Sequence, residues 1–386
     1  MKHKFALSIK YTTMKTFFDK IPMNTQEVAN RFLVAPMTRV SADLEGVPTI
    51  EMEEYYTSFA KGGFGGIITE GIYTDNHYAK AYPNQPGLVN EAQVAAWKKI
   101  ASEVSSKGSV IIAQLMHAGS ISQLLSKTKA PSKIIPLGHK LKHYGGFSGS
   151  FPIPEEMSKQ DIQMAINGYV DSALNAVKAG FNGIELHGAN GYLLDQFMTP
   201  YLNLRTDEYG GNVENRFRIV SAIISAIKKA VPADFIVGLR ISEGKVNHLA
   251  YRWEEGSKTA RELLTEIKKS AIDYLHIAAE HRGWREESLY EDGSSLSGLA
   301  KKILDCPVIA NGGLHDLALS QELLDTNQAD FLAIGKYALS NPDFVHKVRN
   351  GIELIPFDKH SLYPNPGLFS EEKYRMYQEA FEKTQI

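Results

Sequence analysis

The chain is short of the residues on which several protein classes depend. Its 386 residues include one cysteine, Cys306. One thiol closes no disulfide within the chain, completes no Cys-based zinc site and holds no iron–sulfur cluster. Long apolar runs are also missing. Val110-Ile111-Ile112-Ala113 is typical of the longest and falls far below the ~18 residues of a membrane span. The basic start, Met1-Lys2-His3-Lys4, is followed by Lys10 and Lys15, so no signal-peptide core of ~7–15 apolar residues forms. Charge of one sign is not in excess either. Lys and Arg total 42 and Asp and Glu 44, a net charge of −2 that favours neither nucleic acid nor an anionic membrane as a partner. The remaining expectation is a cytoplasmic globular protein, and its 43% hydrophobic content supplies a large core. Residues 1–16 read as an N-terminal extension unlike the rest, with Met14 as an alternative start.

Eight short aliphatic segments punctuate the chain, at 32–35, 66–69, 109–113, 183–186, 235–239, 274–277, 307–310 and 331–334. Each is nearly continuous in apolar residues, the pattern of a strand buried on both faces, as in a parallel sheet. Amphipathic helical stretches lie between them, at 91–107, 158–179, 214–230, 254–271, 315–326 and 341–350. Ser158 with Asp161 three positions later is a variant capping box. The alternation predicts a single (β/α)8 TIM barrel over residues 17–350, with a doubly wound open sheet as the rival. The loop after strand three, about 114–157, is the longest, and a loop of that length covers a site or decorates the rim. Residues 351–386 read as a C-terminal helical extension packing on the barrel.

Barrel enzymes place their chemistry on the loops after the strands. By that rule the mouth carries Pro36-Met37-Thr38-Arg39, Glu70-Gly71, Gln114, His187 with Asn190 and Tyr192, Arg240, Asn311-Gly312-Gly313 and Gly335-Lys336. The glycine pairs follow strands seven and eight, where barrels commonly bind a phosphate. Backbone N–H groups can approach an anion there and Lys336 can neutralise it. The alternative is a pair of tight strand-to-helix turns. His187 lacks neighbours that would complete a metal site, so no metal is expected, and a strand-end histidine reads as a hydrogen-bond donor. A tyrosine with its ordinary pKa near ~10 is protonated at neutral pH and can act as a general acid. Tyr192 is therefore either a proton donor or packing.

The stretch His187-Gly188-Ala189-Asn190-Gly191-Tyr192-Leu193-Leu194-Asp195-Gln196-Phe197, continuing to Asn203-Leu204-Arg205-Thr206-Asp207-Glu208-Tyr209-Gly210-Gly211 and Glu214-Asn215-Arg216, resembles the signature of the old yellow enzyme family of FMN-dependent NADH:flavin oxidoreductases. Ala35-Pro36-Met37-Thr38-Arg39, Thr69-Glu70-Gly71, His117-Ala118-Gly119 and Ala310-Asn311-Gly312-Gly313 resemble its spaced motifs. The resemblance implies an FMN-binding barrel. In it Pro36, Met37 and Thr38 line the flavin, Gly71 lets the ring lie close, and Gln114 and Arg240 face the pyrimidine edge. Gly312, Gly313, Gly335 and Lys336 match the phosphate clamp. His187 and Asn190 match the pair that binds a substrate oxygen, and Tyr192 matches the proton donor.

The implied activity is ping-pong reduction of the C=C bond of α,β-unsaturated carbonyl compounds, with FMN as cofactor and NADH or NADPH as reductant. Alternatives are a flavoenzyme acting on nitro esters or a demethylation, a flavin store, and a non-flavin barrel that binds a sugar phosphate. A homo-oligomer is compatible with all of them. The chain departs from the family pattern in three places: Lys336 for an arginine, Met116 for a tryptophan of one branch, and Ser120 for an arginine. Lys245, Arg252, Arg282 and Arg285 are candidates for the 2′-phosphate of NADPH.

Overall fold

The structure, a computed structural model, describes residues 15–145, 148–279, 282–363 and 365–370, with Glu372 and Met376. The first fourteen residues and most of the chain past 370 lie outside the described residues, so nearly all of the expected N-terminal extension and the end of the C-terminal one fall outside them.

All eight aliphatic segments form strands: β1 (Phe32–Val34), β2 (Gly66–Ile68), β3 (Val110–Met116), β4 (Gly183–Asn190), β5 (Ile236–Lys245), β6 (Tyr274–Ile277), β7 (Val308–Asn311) and β8 (Phe331–Ile334). Each pairs in parallel with its neighbour, β8 pairs with β1, and β2 pairs with β3, so the sheet closes into a barrel. Burial on both faces is why these segments read as apolar runs without alternation. Leu33, Ile68, Val110, Ile112, Ile236, Tyr274, Ile309 and Phe331 fill the inside. Met23 and Val28 join this cluster from an antiparallel hairpin, Ile21–Met23 with Gln26–Val28, which plugs the end opposite the mouth.

Helices α1 (Ile50–Lys61), α2 (Glu91–Ser106), α3 (Lys159–Lys178), α4 (Val213–Ala230), α5 (Ser257–Lys269), α6 (Leu296–Ile303), α7 (Leu317–Asp325) and α8 (Phe344–Asn350) surround the sheet. Helix α5 shows why they dock. Ala260, Leu263, Leu264 and Ile267 form one stripe at helical spacing and are buried. Burying each leucine or isoleucine contributes about 1.5–3 kcal/mol. Helix α3 starts on a complete capping box: Asp161 N–H donates to Ser158 Oγ at 3.1 Å, and Ser158 N–H donates to Asp161 Oδ2 at 2.8 Å.

Two segments cover the mouth. The excursion after β3 carries a short parallel pair, Lys129–Ala130 with Glu155–Glu156, and returns Phe151 to the buried interior. Of the C-terminal extension, residues 351–363 and 365–370 form a loop with one 3-10 turn, Lys359–Leu362, and Glu372 and Met376 are helical. The loop packs on the barrel: Leu354 and Leu368 join the core, and Leu368 N–H donates to Ser41 Oγ at 2.7 Å. Cys306 precedes β7, and burial pushes its thiol up to about 11, away from the reactive thiolate range.

Candidate active site

A cavity of about 830 Å³ opens at the C-terminal ends of the strands, and every cofactor-binding and catalytic candidate read from the sequence lines it. Pro36, Met37 and Thr38 come from the loop after β1, Gly71 from the loop after β2, and Gln114 from β3. His187 and Asn190 come from β4, Tyr192 from the turn after it, and Arg240 from β5. Gly312 and Gly313 follow β7, and Gly335 and Lys336 follow β8. The wall is completed by the excursion after β3, through Leu141, Tyr144 and Phe151, and by the C-terminal segment, through Pro356, Phe357, Leu362 and Pro366.

The glycines differ in what they make possible. At Gly313, φ is +76° and no atom lies within 4 Å of where a Cβ would stand. At Gly335 the nearest atoms to that position are 3.9 Å away. These two leave open backbone facing the cavity, a cradle that side chains would fill. Gly312 is required by its fold neighbours, since a Cβ there would overlap the Ala279 carbonyl. At Gly71 a Cβ would stand 2.6 Å from Met116 Sδ, so this glycine admits Met116 into the wall. That is a neighbour in addition to the flavin ring expected from the resemblance.

The turn after β4 shows how the signature works physically. Asn190 has φ +63° and Gly191 φ +86°, both in the left-handed region, which asparagine tolerates better than most residues. The paired reversals aim Asn190 and Tyr192 at the same cavity. Three partners hold the turn. Gly191 N–H donates to Asp195 Oδ2 at 2.6 Å, and Gln196 Nε2 donates to the Gly191 carbonyl at 2.6 Å. Leu193 N–H donates to the His117 carbonyl at 2.9 Å. Lys245 in turn donates to Asp195 Oδ1 at 2.7 Å. Asp195, Gln196 and His117 therefore build the site without lining it.

Burial first, then Arg240 and His276, hold the His187 imidazole well below its ordinary pKa, so it stays neutral. Its Nδ1 is buried and has no protein partner. The His187 and Tyr192 rings are 4.8 Å apart. The Tyr192 hydroxyl lies 2.7 Å from the Tyr82 hydroxyl, with both residues buried. Tyr82 was not read from the sequence. It sits in an irregular loop with no periodicity, and its partner is 110 positions away.

The four nicotinamide-phosphate candidates separate. Arg282 lines the cavity. Lys245 is buried in its pair with Asp195, and Arg285 pairs with Glu322 at 2.6 Å outside the cavity. Arg252 lies 3.7 Å from Glu243.

One cavity lined by an open glycine cradle beside Lys336 after β7 and β8, a buried arginine and glutamine on β5 and β3, and a neutral histidine with an unpartnered nitrogen on β4 suits a phosphate-bearing redox cofactor. The fold and cavity are those of a flavin-binding barrel. Residues 16–354 match the model of the NADH:flavin oxidoreductase / NADH oxidase family. The chain is 33% identical over 364 residues to chanoclavine-I aldehyde reductase fgaOx3 of Penicillium roqueforti, covering 91% of this chain and 93% of that one. It is 31% identical to a probable flavin mononucleotide-dependent alkene reductase of Leishmania infantum, covering 87% and 91%. The old yellow enzyme homologue of Zymomonas mobilis superposes with a TM-score of 0.81 at 26% identity, covering 94% of this chain and 99% of that one. The chain belongs to the NADH:flavin oxidoreductase / NADH oxidase family, the old yellow enzyme family, and is an FMN-dependent NAD(P)H oxidoreductase. Among its described residues no helix is long and apolar enough to cross a membrane.

Proposed function

We propose that His187, Asn190 and Tyr192 form the substrate end of an ene-reductase site, and that the rest of the cavity holds FMN. The observation that carries this reading is their grouping: a neutral histidine, an asparagine and a tyrosine brought to one wall by a single turn. Bound FMN would supply hydride, taken from NADH or NADPH and passed to the β-carbon of an activated alkene.

The chain's own residues do the rest. His187 and Asn190 place donors where a carbonyl oxygen gains negative charge, and they do so without reorganising. A neutral imidazole suits this role, because it donates a hydrogen bond without surrendering a full proton to the oxygen. Tyr192 holds the proton destined for the α-carbon, and Tyr82 fixes the rotation of its hydroxyl. Gly313 and Gly335 would accommodate the phosphate, with Lys336 as counter-charge. Pro36, Met37, Thr38 and Gly71 would line the flavin ring, and Gln114 and Arg240 would supply its polar contacts at the pyrimidine side. Residues 17–350 act as one FMN-binding barrel, and the described part of the segment after 350 closes part of the mouth through Pro356, Phe357, Leu362 and Pro366. Arg282 is the cation best placed to meet a nicotinamide phosphate.

Replacing Tyr192 with phenylalanine tests the assignment. Positioned general acids contribute about 10²–10⁴-fold. Enone turnover is expected to fall by that order while reduction of the flavin by the nicotinamide continues. Loss of both steps, or of neither, contradicts the proton-donor role.

A further inference from the structure

Inside the barrel, below the mouth, lies a buried carboxylate that the steps above do not use. Glu185 stands on β4 two residues before His187 and is fully buried. Its Oε1 accepts from Gln114 Nε2 at 2.8 Å. Its Oε2 accepts from the Tyr274 hydroxyl at 3.0 Å and lies 2.9 Å from His276 Nδ1.

The barrel register builds this cluster. Gln114 is the direct neighbour of Glu185 on β3, and Gly238 is its neighbour on β5. Tyr274 reaches Glu185 from β6, across β5. Its ring occupies the place where a Cβ of Gly238 would stand, so a glycine at 238 is what lets the hydroxyl arrive. Burial works to raise the Glu185 pKa, but His276, Arg240 and Gln114 outweigh it and hold the group below the usual carboxylate value. An ionised carboxylate only accepts hydrogen bonds. Gln114 must therefore turn its NH2 toward Glu185, which directs its carbonyl oxygen away from that carboxylate, and Gln114 itself lines the cavity. Arg240 is also buried and lines the cavity, so Glu185 places a negative charge beside a cation in a poorly screened interior.

We propose that Glu185 is a positioning residue for the flavin: it locks Gln114 with its carbonyl presented to the pyrimidine edge, and its charge offsets that of Arg240, holding down the reduction potential of bound FMN. This inference rests on the FMN reading above.

The test is the midpoint potential and FMN dissociation constant of the wild type, of Glu185→Gln and of the exchange variant Gln114→Glu/Glu185→Gln. Removing the buried anion leaves Arg240 less compensated. Glu185→Gln is expected to shift the balance toward reduced flavin about tenfold, which is ~30 mV upward for a two-electron couple. The exchange variant keeps the total charge and a carboxylate–amide pair, so it is the check on folding. It moves the anion onto the pyrimidine edge, and the expected result is a tenfold or larger shift the other way, with weaker FMN binding. Either variant holding FMN at the wild-type potential overturns the proposal while leaving the flavin reading intact. A wild type that takes up no FMN overturns the flavin reading itself, and this proposal with it.

Discussion

Replacing Lys245 with methionine isolates the ion pair that anchors the signature turn. The Lys245 and Asp195 side chains are 0% and 3% exposed and 2.7 Å apart. Burial raises the Asp195 pKa, and Lys245 is the strongest influence against that rise. Without the lysine, Asp195 is left as an uncompensated buried charge or must take up a proton. Breaking a buried pair from one side costs about 3–5 kcal/mol. For a chain of 386 residues the unfolding entropy is about 0.8 kcal/mol per kelvin, so Tm is expected to fall by about 4–6 °C. The cost is expected to shrink in Lys245→Met/Asp195→Asn. That double variant removes both charges and keeps an acceptor for Gly191 N–H. The assay is thermal unfolding of the FMN-loaded wild type, both single variants and the double, treated as a double-mutant cycle. A Tm loss under about 1 °C for Lys245→Met, or a double variant worse than the sum of the singles, refutes the reasoning. Enone turnover in Lys245→Met should drop with stability, since the same turn carries Asn190 and Tyr192.

The remaining expectations concern the cofactor, the proton and pH. Lys336→Gln is expected to weaken FMN binding about 10–100-fold, the worth of a hydrogen bond to a charged group, whereas Lys336→Arg should tighten it through a forked contact with phosphate. Equilibrium dialysis or fluorescence titration of FMN reads both, and unchanged affinity in Lys336→Gln removes Lys336 from the clamp. Tyr82→Phe should slow enone turnover less than Tyr192→Phe does, because it removes the 2.7 Å hydroxyl partner and leaves the donor; an equal loss contradicts Tyr192 acting as donor on its own. Glu70 is raised by burial from 4.5 to about 7, against the pull of the Arg39 and Val40 N–H groups. Its folded pKa is the higher one, so its contribution to stability is fully present below about 4.5 and is lost as pH rises toward about 7, amounting to about 3 kcal/mol. Glu70→Gln is expected to flatten that part of the stability–pH curve, and parallel curves for the two proteins contradict it.

The barrel was legible because its strands are buried on both faces. Each therefore announces itself as a continuous apolar run, and eight such runs with helices between admit few architectures. Strand length was less legible. Reading β5 as ending at Arg240 left Lys245 outside the strand and made it a candidate for an external phosphate. The strand continues to Lys245, whose ammonium turns inward to Asp195. The hairpin over Ile21–Val28 gives little local signal, since each arm has three residues and one holds Pro22. Helix α6 is eight residues long, too short for its periodicity to stand out.

The site was legible where residues follow strand ends, and it was not where the function of a residue is to hold another. Asp195, Gln196 and His117 were read as parts of a motif, but their work on the Gly191 turn is a matter of hydrogen bonds between distant segments. Tyr82 and Glu185 were missed for the same reason. Their meaning lies in partners 110 and about 70–90 positions away, and no local pattern encodes such contacts.

The most direct measurement is an anaerobic titration of the purified, FMN-reconstituted protein followed in the visible. NADH or NADPH should bleach the flavin absorbance, and 2-cyclohexenone added afterwards should restore it with one saturated ketone formed per flavin. Protein that stays colourless with added FMN, or reduced flavin that the enone does not reoxidise, contradicts the ene-reductase reading.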